Sequence, residues 1–325
     1  MKNVLLGVFV VLSVQLVGKE KFLINVRDQS GLPVKGATVM VQQKLPASGT
    51  GYWSNDKYER FFAETDENGN AQISFSARTR HFEWGVASDD YYSDTECSTV
   101  NEKFKVKEND DCTDYELVEH EMTRDVTLWK KRNPKAMYGY QDVTHNMTRV
   151  PKGSGRFGFD LKKLDWIPPY GSGEVADFYL VKNVRKTTEC NETVGHLEFP
   201  DHCGYYKGQK NKNKLFPSVY EADTNAVYSS RLDFRYRYDK INKTLLREDI
   251  VTDDEYIVLR TRVKCDKSGK IVSANYSKIL GRIVFGHYFV HNEIVFNQDA
   301  NDNNLERDWK ASAKKGLGFC GPMAP

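Results

Sequence analysis

Residues 22–41, FLINVRDQSGLPVKGATVMV, and residues 61–75, FFAETDENGNAQISF, carry the pattern that decides the fold. Phe22, Ile24 and Val26 recur at every second position, as do Val39 and Val41, Ile73 and Phe75, and then Phe82, Trp84 and Val86. In an extended chain successive side chains point to opposite faces, so a period of two predicts half-buried β-strands. The residues between them supply turn chemistry. Gly31 and Gly36 are free to take positive φ, Pro33 presets its own, and Asp66-Glu67-Asn68-Gly69-Asn70 is a hairpin turn of the Asn-Gly kind. The acidic run at 66–70 does not extend into a calcium loop, because Phe75 and Ala77 fall where the further oxygen donors belong. Strands with one apolar face bury it against a second sheet, so a β-sandwich with Trp84 in its core is expected.

Ahead of these strands, Lys2 and the apolar run Val4–Val17 end at Gly18, before Lys19, Glu20 and Lys21. This is the composition of a cleavable signal peptide over residues 1–18. The run is shorter than the roughly 20 residues that span a bilayer. No later segment is long and apolar enough either, so the expected product is secreted or periplasmic, with no transmembrane segment after cleavage. Lys plus Arg total 47 and Asp plus Glu 45, interleaved along the chain, which removes the electrostatic case for a nucleic-acid partner. The 6 cysteines would be oxidised in that compartment. Nearest-neighbour pairing, Cys97 with Cys112, Cys190 with Cys203 and Cys265 with Cys320, keeps each bridge inside one domain. The alternative for the middle pair is a zinc site from Cys190, His196, His202 and Cys203, whose spacing matches no standard zinc module. No cofactor is expected.

The string Val26-Arg27-Asp28, then Gly31-Leu32-Pro33-Val34-Lys35-Gly36-Ala37-Thr38-Val39, followed by Thr65-Asp66-Glu67-Asn68-Gly69-Asn70-Ala71, resembles the carboxypeptidase regulatory-like domain. Val86 to Tyr92 and Asp125 to Leu128 are similar to that family's strand into an aromatic turn and its closing strand. The resemblance covers residues 20–130. It implies a prealbumin-like β-sandwich that serves as an accessory or adhesive module rather than a catalyst. Two inserts, Gln43–Glu59 and Thr95–His120, depart from the family pattern. The first carries Tyr52 and Trp53 among Gly49, Gly51 and Ser54, where an exposed loop makes them candidate contacts.

Asn133-Pro134 marks a boundary, with a linker over 131–150 and a second, β-rich domain over 151–325. Strands are expected at Val175–Val184, Arg231–Tyr238, Tyr256–Cys265, Ile271–Phe285 and His291–Asn297, rich in β-branched and aromatic residues. Asp266-Lys267-Ser268-Gly269-Lys270 is a tight turn that makes an antiparallel hairpin of its flanks. In Arg231–Tyr238, Leu232, Phe234, Tyr236 and Tyr238 alternate with Arg231, Asp233, Arg235 and Arg237. Such alternation can serve anionic polymers, but one core face beside one solvated face explains it more simply.

The most distinctive string runs from Gly158 to Asp177. Pro168-Pro169, Gly171 and Gly173 force an irregular, rigid connection that would display Trp166 and Tyr170. Flat aromatic faces on rigid loops suit sugar rings or partner proteins. This string and Asn301–Glu306 resemble recurring strings in uncharacterised exported bacterial proteins, a resemblance that implies no activity. Asp160, Asp165, Glu174 and Asp177 offer the paired carboxylates of a glycosidase, which makes an extracellular hydrolase the alternative. No Gly-x-Ser-x-Gly elbow accompanies them. His287 and His291, four apart on a strand, are about 13 Å from each other and cannot share a metal. Asp299, Asn301, Asp302, Asn303, Asn304 and Glu306 are hard donors of the kind calcium prefers, yet they also suit a turn or cap before a short segment at Leu305–Lys314. Together these readings give a mainly β protein of two domains, exported, with a binding or structural role toward a glycan or an envelope protein.

Overall fold

The computed structural model describes residues 20–44, 58–75, 81–99, 104–106, 115–117, 121–141, 148–211, 216–248, 251–286 and 288–317. The chain is mainly β and separates between Lys130 and Lys131 into two compact units. The first unit comprises β1 (Glu20–Asp28), β2 (Thr38–Lys44), β3 (Tyr58–Glu64), β4 (Asn70–Phe75), β5 (His81–Ala87), β6 (Tyr91–Tyr92), β7 (Asp94–Thr99), β8 (Phe104–Val106), β9 (Tyr115–Leu117) and β10 (Glu121–Lys130).

One sheet has the order β4-β1-β10-β6 and the other β3-β2-β5-β7, with β8 and β9 paired apart. Opening and closing strands lie side by side, since β1 runs parallel to β10 from Lys21 opposite Glu121 to Asp28 opposite Leu128. The period-two positions do what their spacing dictates. Phe22, Ile24, Val26, Val39, Val41, Ile73, Phe75, Trp84 and Val86 fill one core between the sheets. Trp84 is a core residue, its ring 6.0 Å from that of Phe22. The 66–70 turn closes as expected, with the Gly69 N–H donating to Asp66 at 3.0 Å and its carbonyl accepting from the Val26 N–H at 2.7 Å. Gly69 has φ of 77° and lies against the Val26 carbonyl, so no side chain fits there. Strand pairing reaches into the ends of both expected inserts, whose remaining residues lie largely outside the described ones. Gln43 pairs with Glu59, and β7 within the second insert pairs with β5.

The second unit comprises β11 (Tyr138–Gln141), β12 (Gly155–Asp160), β13 (Asp165–Trp166), β14 (Phe178–Lys186), β15 (Cys190–Glu198), β16 (Gly204–Gln209), β17 (Arg231–Asp239), β18 (Thr244–Glu248), β19 (Glu255–Cys265), β20 (Ile271–Leu280), β21 (Val284–Phe285), β22 (Phe289–Val290), β23 (Glu293–Phe296) and the helix α1 (Trp309–Lys314). A 6-stranded sheet, β13-β12-β14-β15-β17-β18, packs on a 5-stranded one, β11-β23-β20-β19-β16. Phe157, Phe159, Phe178, Leu180, Leu197, Leu232 and Phe234 from the first sheet meet Ile257, Leu259, Ile279, Ile294 and Phe296 from the second. A separate cluster, Tyr256, Val258, Tyr276 and Leu280 with Ala222 and Leu305, covers the other face of the 5-stranded sheet. The hairpin at 266–270 joins β19 to β20 as expected.

Of the linker expected over 131–150, residues 131–141 and 148–150 are described, and they group with the second unit. Met137 is fully buried, β11 pairs with β23, and the Arg132 and Asn133 N–H groups donate to the Glu306 carboxylate at 2.9 and 2.6 Å. The polar run around Asn133-Pro134 bends the chain without separating it from the unit that follows.

Candidate functional site

The Gly158–Asp177 string is held by its own acids. Arg262 has φ of 50° at an irregularity of β19 and aims its guanidinium at two carboxylates. It donates Nε and Nη2 to Asp177 and Nη2 to Asp160, each at 2.8 Å. Asp160 also accepts from the N–H groups of Lys162, Lys163, Glu174 and Val175, and Asp177 accepts from Leu161. Burial pushes the Asp160 carboxyl up, but those backbone donors and Arg262 outweigh it and hold the group below its ordinary range. Asp165 accepts from the Trp166 and Ser172 N–H groups and the Ser172 hydroxyl. Of the acids expected to suit hydrolysis, Glu174 alone is exposed, paired with Lys163 at 3.1 Å. Asp160, Asp165 and Asp177 are structural staples.

Trp166 is corrected as well. It is 1% exposed, its indole Nε1 donates to the Arg149 carbonyl at 2.7 Å, and its ring meets Phe159 edge-on at 4.9 Å. It anchors the string instead of being displayed on it. Tyr170 is 53% exposed, with one edge against Phe157 at 4.9 Å, and remains available for contact. Tyr52 and Trp53 lie outside the described residues.

The cysteine pairing is corrected in its middle pair. Cys190 begins β15, opposite Asp239, whereas Cys203 follows the other end of that strand, where its thiol meets the backbone of Arg262 and Val263. A strand of 9 residues separates its ends by about 26 Å, and a disulfide needs Cα atoms within about 7 Å. Both are free thiols, and the same separation breaks up the zinc set of Cys190, His196, His202 and Cys203. Cys97 stands in β7, and Cys265, which ends β19, is also unbonded among the described residues, while the partners expected for them, Cys112 and Cys320, lie outside those residues. His287 is also outside them.

The oxygen-rich run near the end is an architectural turn. Glu306 holds the Arg132 and Asn133 backbone, Asp302 pairs with Lys135 at 2.7 Å, and Asn304 donates to the Asn133 carbonyl at 2.6 Å. Asp308 caps α1 by accepting from the Ala311 N–H.

The 6-stranded sheet has a solvent face of interleaved charged and polar side chains. Its register places Tyr179, Glu198 and Arg231 in one row, Val181, His196 and Asp233 in the next, then Asn183, Val194 and Arg235, then Arg185, Glu192 and Arg237. Arg156 of β12 stacks 3.3 Å over the Tyr179 ring and bonds Glu198 through Nε at 3.1 Å. Arg231 pairs with Asp233 at 2.7 Å, and Arg235 grips Glu192 through Nε and Nη2 at 3.0 and 2.7 Å. At one end the chain turns through Pro200–Cys203, with His202 at φ of 60°, and forms the wall of a polar cleft of about 400 Å³. His196, Glu198, Asp201, His202, Ser230 and Arg231 line it. Partial burial, reinforced by the nearby Arg231, pulls the His196 imidazole below its usual range, against Asp233 and Glu198. This side of β17 was expected to be only a solvated face. Its organisation depends on which strands lie beside it, and no local signal in the sequence shows that.

No family model and no curated protein matches the chain. Among solved structures, 3-chlorocatechol 1,2-dioxygenase from Rhodococcus opacus 1CP is similar at 19% identity and a TM-score of 0.24, over 35% of this chain and 61% of that one. The major pilin SpaD from Corynebacterium diphtheriae is similar at 9% identity and a TM-score of 0.24, over 90% of this chain and 85% of that one. The shaft pilin SpaA from Lactobacillus rhamnosus GG is similar at 9% identity and a TM-score of 0.23, over 89% and 99%. Likenesses this distant say nothing of activity. No helix among the described residues is long and apolar enough to cross a membrane.

Proposed function

We propose that the chain is an exported, non-catalytic binding or structural protein of the cell envelope or extracellular space, recognising a glycan or a protein partner. The observation that supports this most is the saturation of Asp160, Asp165 and Asp177 by guanidinium, hydroxyl and backbone donors. A carboxylate that works as acid or base must be free to exchange its proton with substrate, and these are fixed as acceptors. The first unit is proposed to be a carboxypeptidase regulatory-like sandwich behind a signal peptide over residues 1–18. Cys97 with Cys112 in the first unit and Cys265 with Cys320 in the second are proposed as disulfides of an oxidising compartment. Recognition is assigned to the open face of the 6-stranded sheet and to Tyr170, whose exposed ring is suited to stack on a sugar.

The test is co-sedimentation of residues 19–325 with envelope and extracellular polysaccharide of the native host, alongside a turnover assay on the same material. Retention without shortening of the polymer, reduced by Tyr170→Ala, is the expected result. Depolymerisation that disappears in Asp165→Asn would restore the hydrolase reading.

A further inference from the structure

We infer that the tip of the β17–β18 hairpin docks on an anionic lipid surface, its apolar side chains entering the headgroup layer and its cations meeting the phosphates. This surface goes beyond the recognition reading above. Along β17 the apolar face is packed as far as Tyr236, whose ring lies 5.2 Å from that of Phe234 at the edge of the core. Past that point it stands in water. Tyr238 lies opposite Leu245 and Ile241 stands in the connecting turn, and they are 40, 50 and 71% exposed. Leu246, opposite Arg237 on the other face, is 55% exposed. Single exposed apolar side chains are ordinary, but four within the span 238–246 form a patch of the kind that marks a contact. The tip is also braced, because Lys240 donates its backbone N–H to the Glu189 carbonyl at 2.8 Å and its ammonium to the Thr187 carbonyl at 2.5 Å.

The charges around the patch name its partner. On the solvent face Arg185, Arg235 and Arg237 are matched in number by Glu192, Asp239 and, by register, Glu248. What remains at the tip is Lys186, Lys240, Lys243 and Arg247 against Glu189, all of them exposed, an excess of three positive charges. Lys186 shares the row of Tyr238 and Leu245 through Asn191, and Arg247 lies opposite Tyr236, so cations stand beside the apolar side chains. Such side chains lay their stems along apolar surface and keep their charge at the level of the phosphates. From the turn to the row of Arg237 and Leu246 the hairpin measures about 10 Å, at about 3.3 Å per residue, which matches the depth an interfacial element reaches. A hairpin tip offers no walls to shape a pocket for another protein's side chain, whereas a fluid headgroup layer moulds to it.

Co-sedimentation of the full mature chain with vesicles of equimolar phosphatidylglycerol and phosphatidylcholine, or of phosphatidylcholine alone, tests this. Expected is partition onto the anionic vesicles that falls with added salt, and little onto the neutral ones. Lys186→Gln with Lys243→Gln should weaken it about thirtyfold, and Ile241→Ser about tenfold. Val227→Ser removes an apolar side chain that is 89% exposed ahead of the other end of β17, and it should partition as wild type. Circular dichroism should show every variant folded. Absence of partition, equal partition onto both vesicles, or partition unchanged in either Ile241→Ser or the lysine double variant overturns the inference. So does a dimer in sedimentation velocity that Ile241→Ser or Leu246→Ser dissociates, since a second copy would then occupy the patch. The vesicles carry no glycan, so none of these outcomes bears on the recognition reading.

Discussion

Arg262 serves two carboxylates with one guanidinium, and its removal leaves both without their cation in a protected site. Replacing it by Met should lower stability by about 3–5 kcal/mol in urea unfolding, because the desolvation cost of Asp160 and Asp177 remains while their partner is gone. Trp166→Ala should cost about 3–5 kcal/mol by the same measurement, through a cavity beside Phe157 and Phe159. Its effect on binding should then follow the folded fraction alone. His291 is 6% exposed and its Nδ1 has no hydrogen-bond partner. Burial pulls its pKa from 6.5 down to about 4. The neutral ring's contribution is therefore full above about pH 6.5 and is lost as pH falls toward 4, since the unfolded chain binds the proton first. Between pH 7 and 4.5 that is a loss of about 2 kcal/mol, read from urea unfolding at the two pH values, and His291→Gln should flatten it. The sequence showed Trp166 as an aromatic in a Gly- and Pro-rich loop. Its burial comes from Phe157, Phe159 and the Arg149 carbonyl, partners that no local pattern announces.

At the level of elements, the turns are where local chemistry speaks most directly. Gly69 and Gly31 both have positive φ, yet a side chain at 69 would meet the Val26 carbonyl and one at 31 would meet open space. Gly69→Ala should therefore lower stability by about 1–3 kcal/mol and Gly31→Ala by about 1 kcal/mol, compared as urea midpoints of the first unit's transition. Strands with clear alternation were legible: β1, β2, β4 and the β19–β20 hairpin follow from apolar spacing and turn residues alone. β11 was not, because 4 residues give too short a pattern to compete with the Asn133-Pro134 signal before it. Tyr238 shows the opposite limit. It continues the alternation of β17 but is 40% exposed, since burial ends where the partner sheet ends and not where the pattern does. For the candidate site, the sequence supplied the Arg-rich side of β17, but Arg185 and Glu192 join it only through strand register.

For the whole molecule, two separate cores on either side of Lys130 and Lys131 mean that the second unit includes the segment first read as a linker. A chain beginning at Lys131 should keep a cooperative unfolding transition. One beginning at Pro151 should lose it, because β11 and the Glu306 anchor are gone. Recognition is proposed to reside on the open face of the 6-stranded sheet. Hydrogen exchange of the mature chain, free and saturated with the host polysaccharide that retains it, tests that claim most directly. Added protection is expected over β14, β15, β17 and the Pro200–Cys203 turn alone. Protection centred on the first unit, or on α1 and the 299–306 turn with the sheet unchanged, would contradict it.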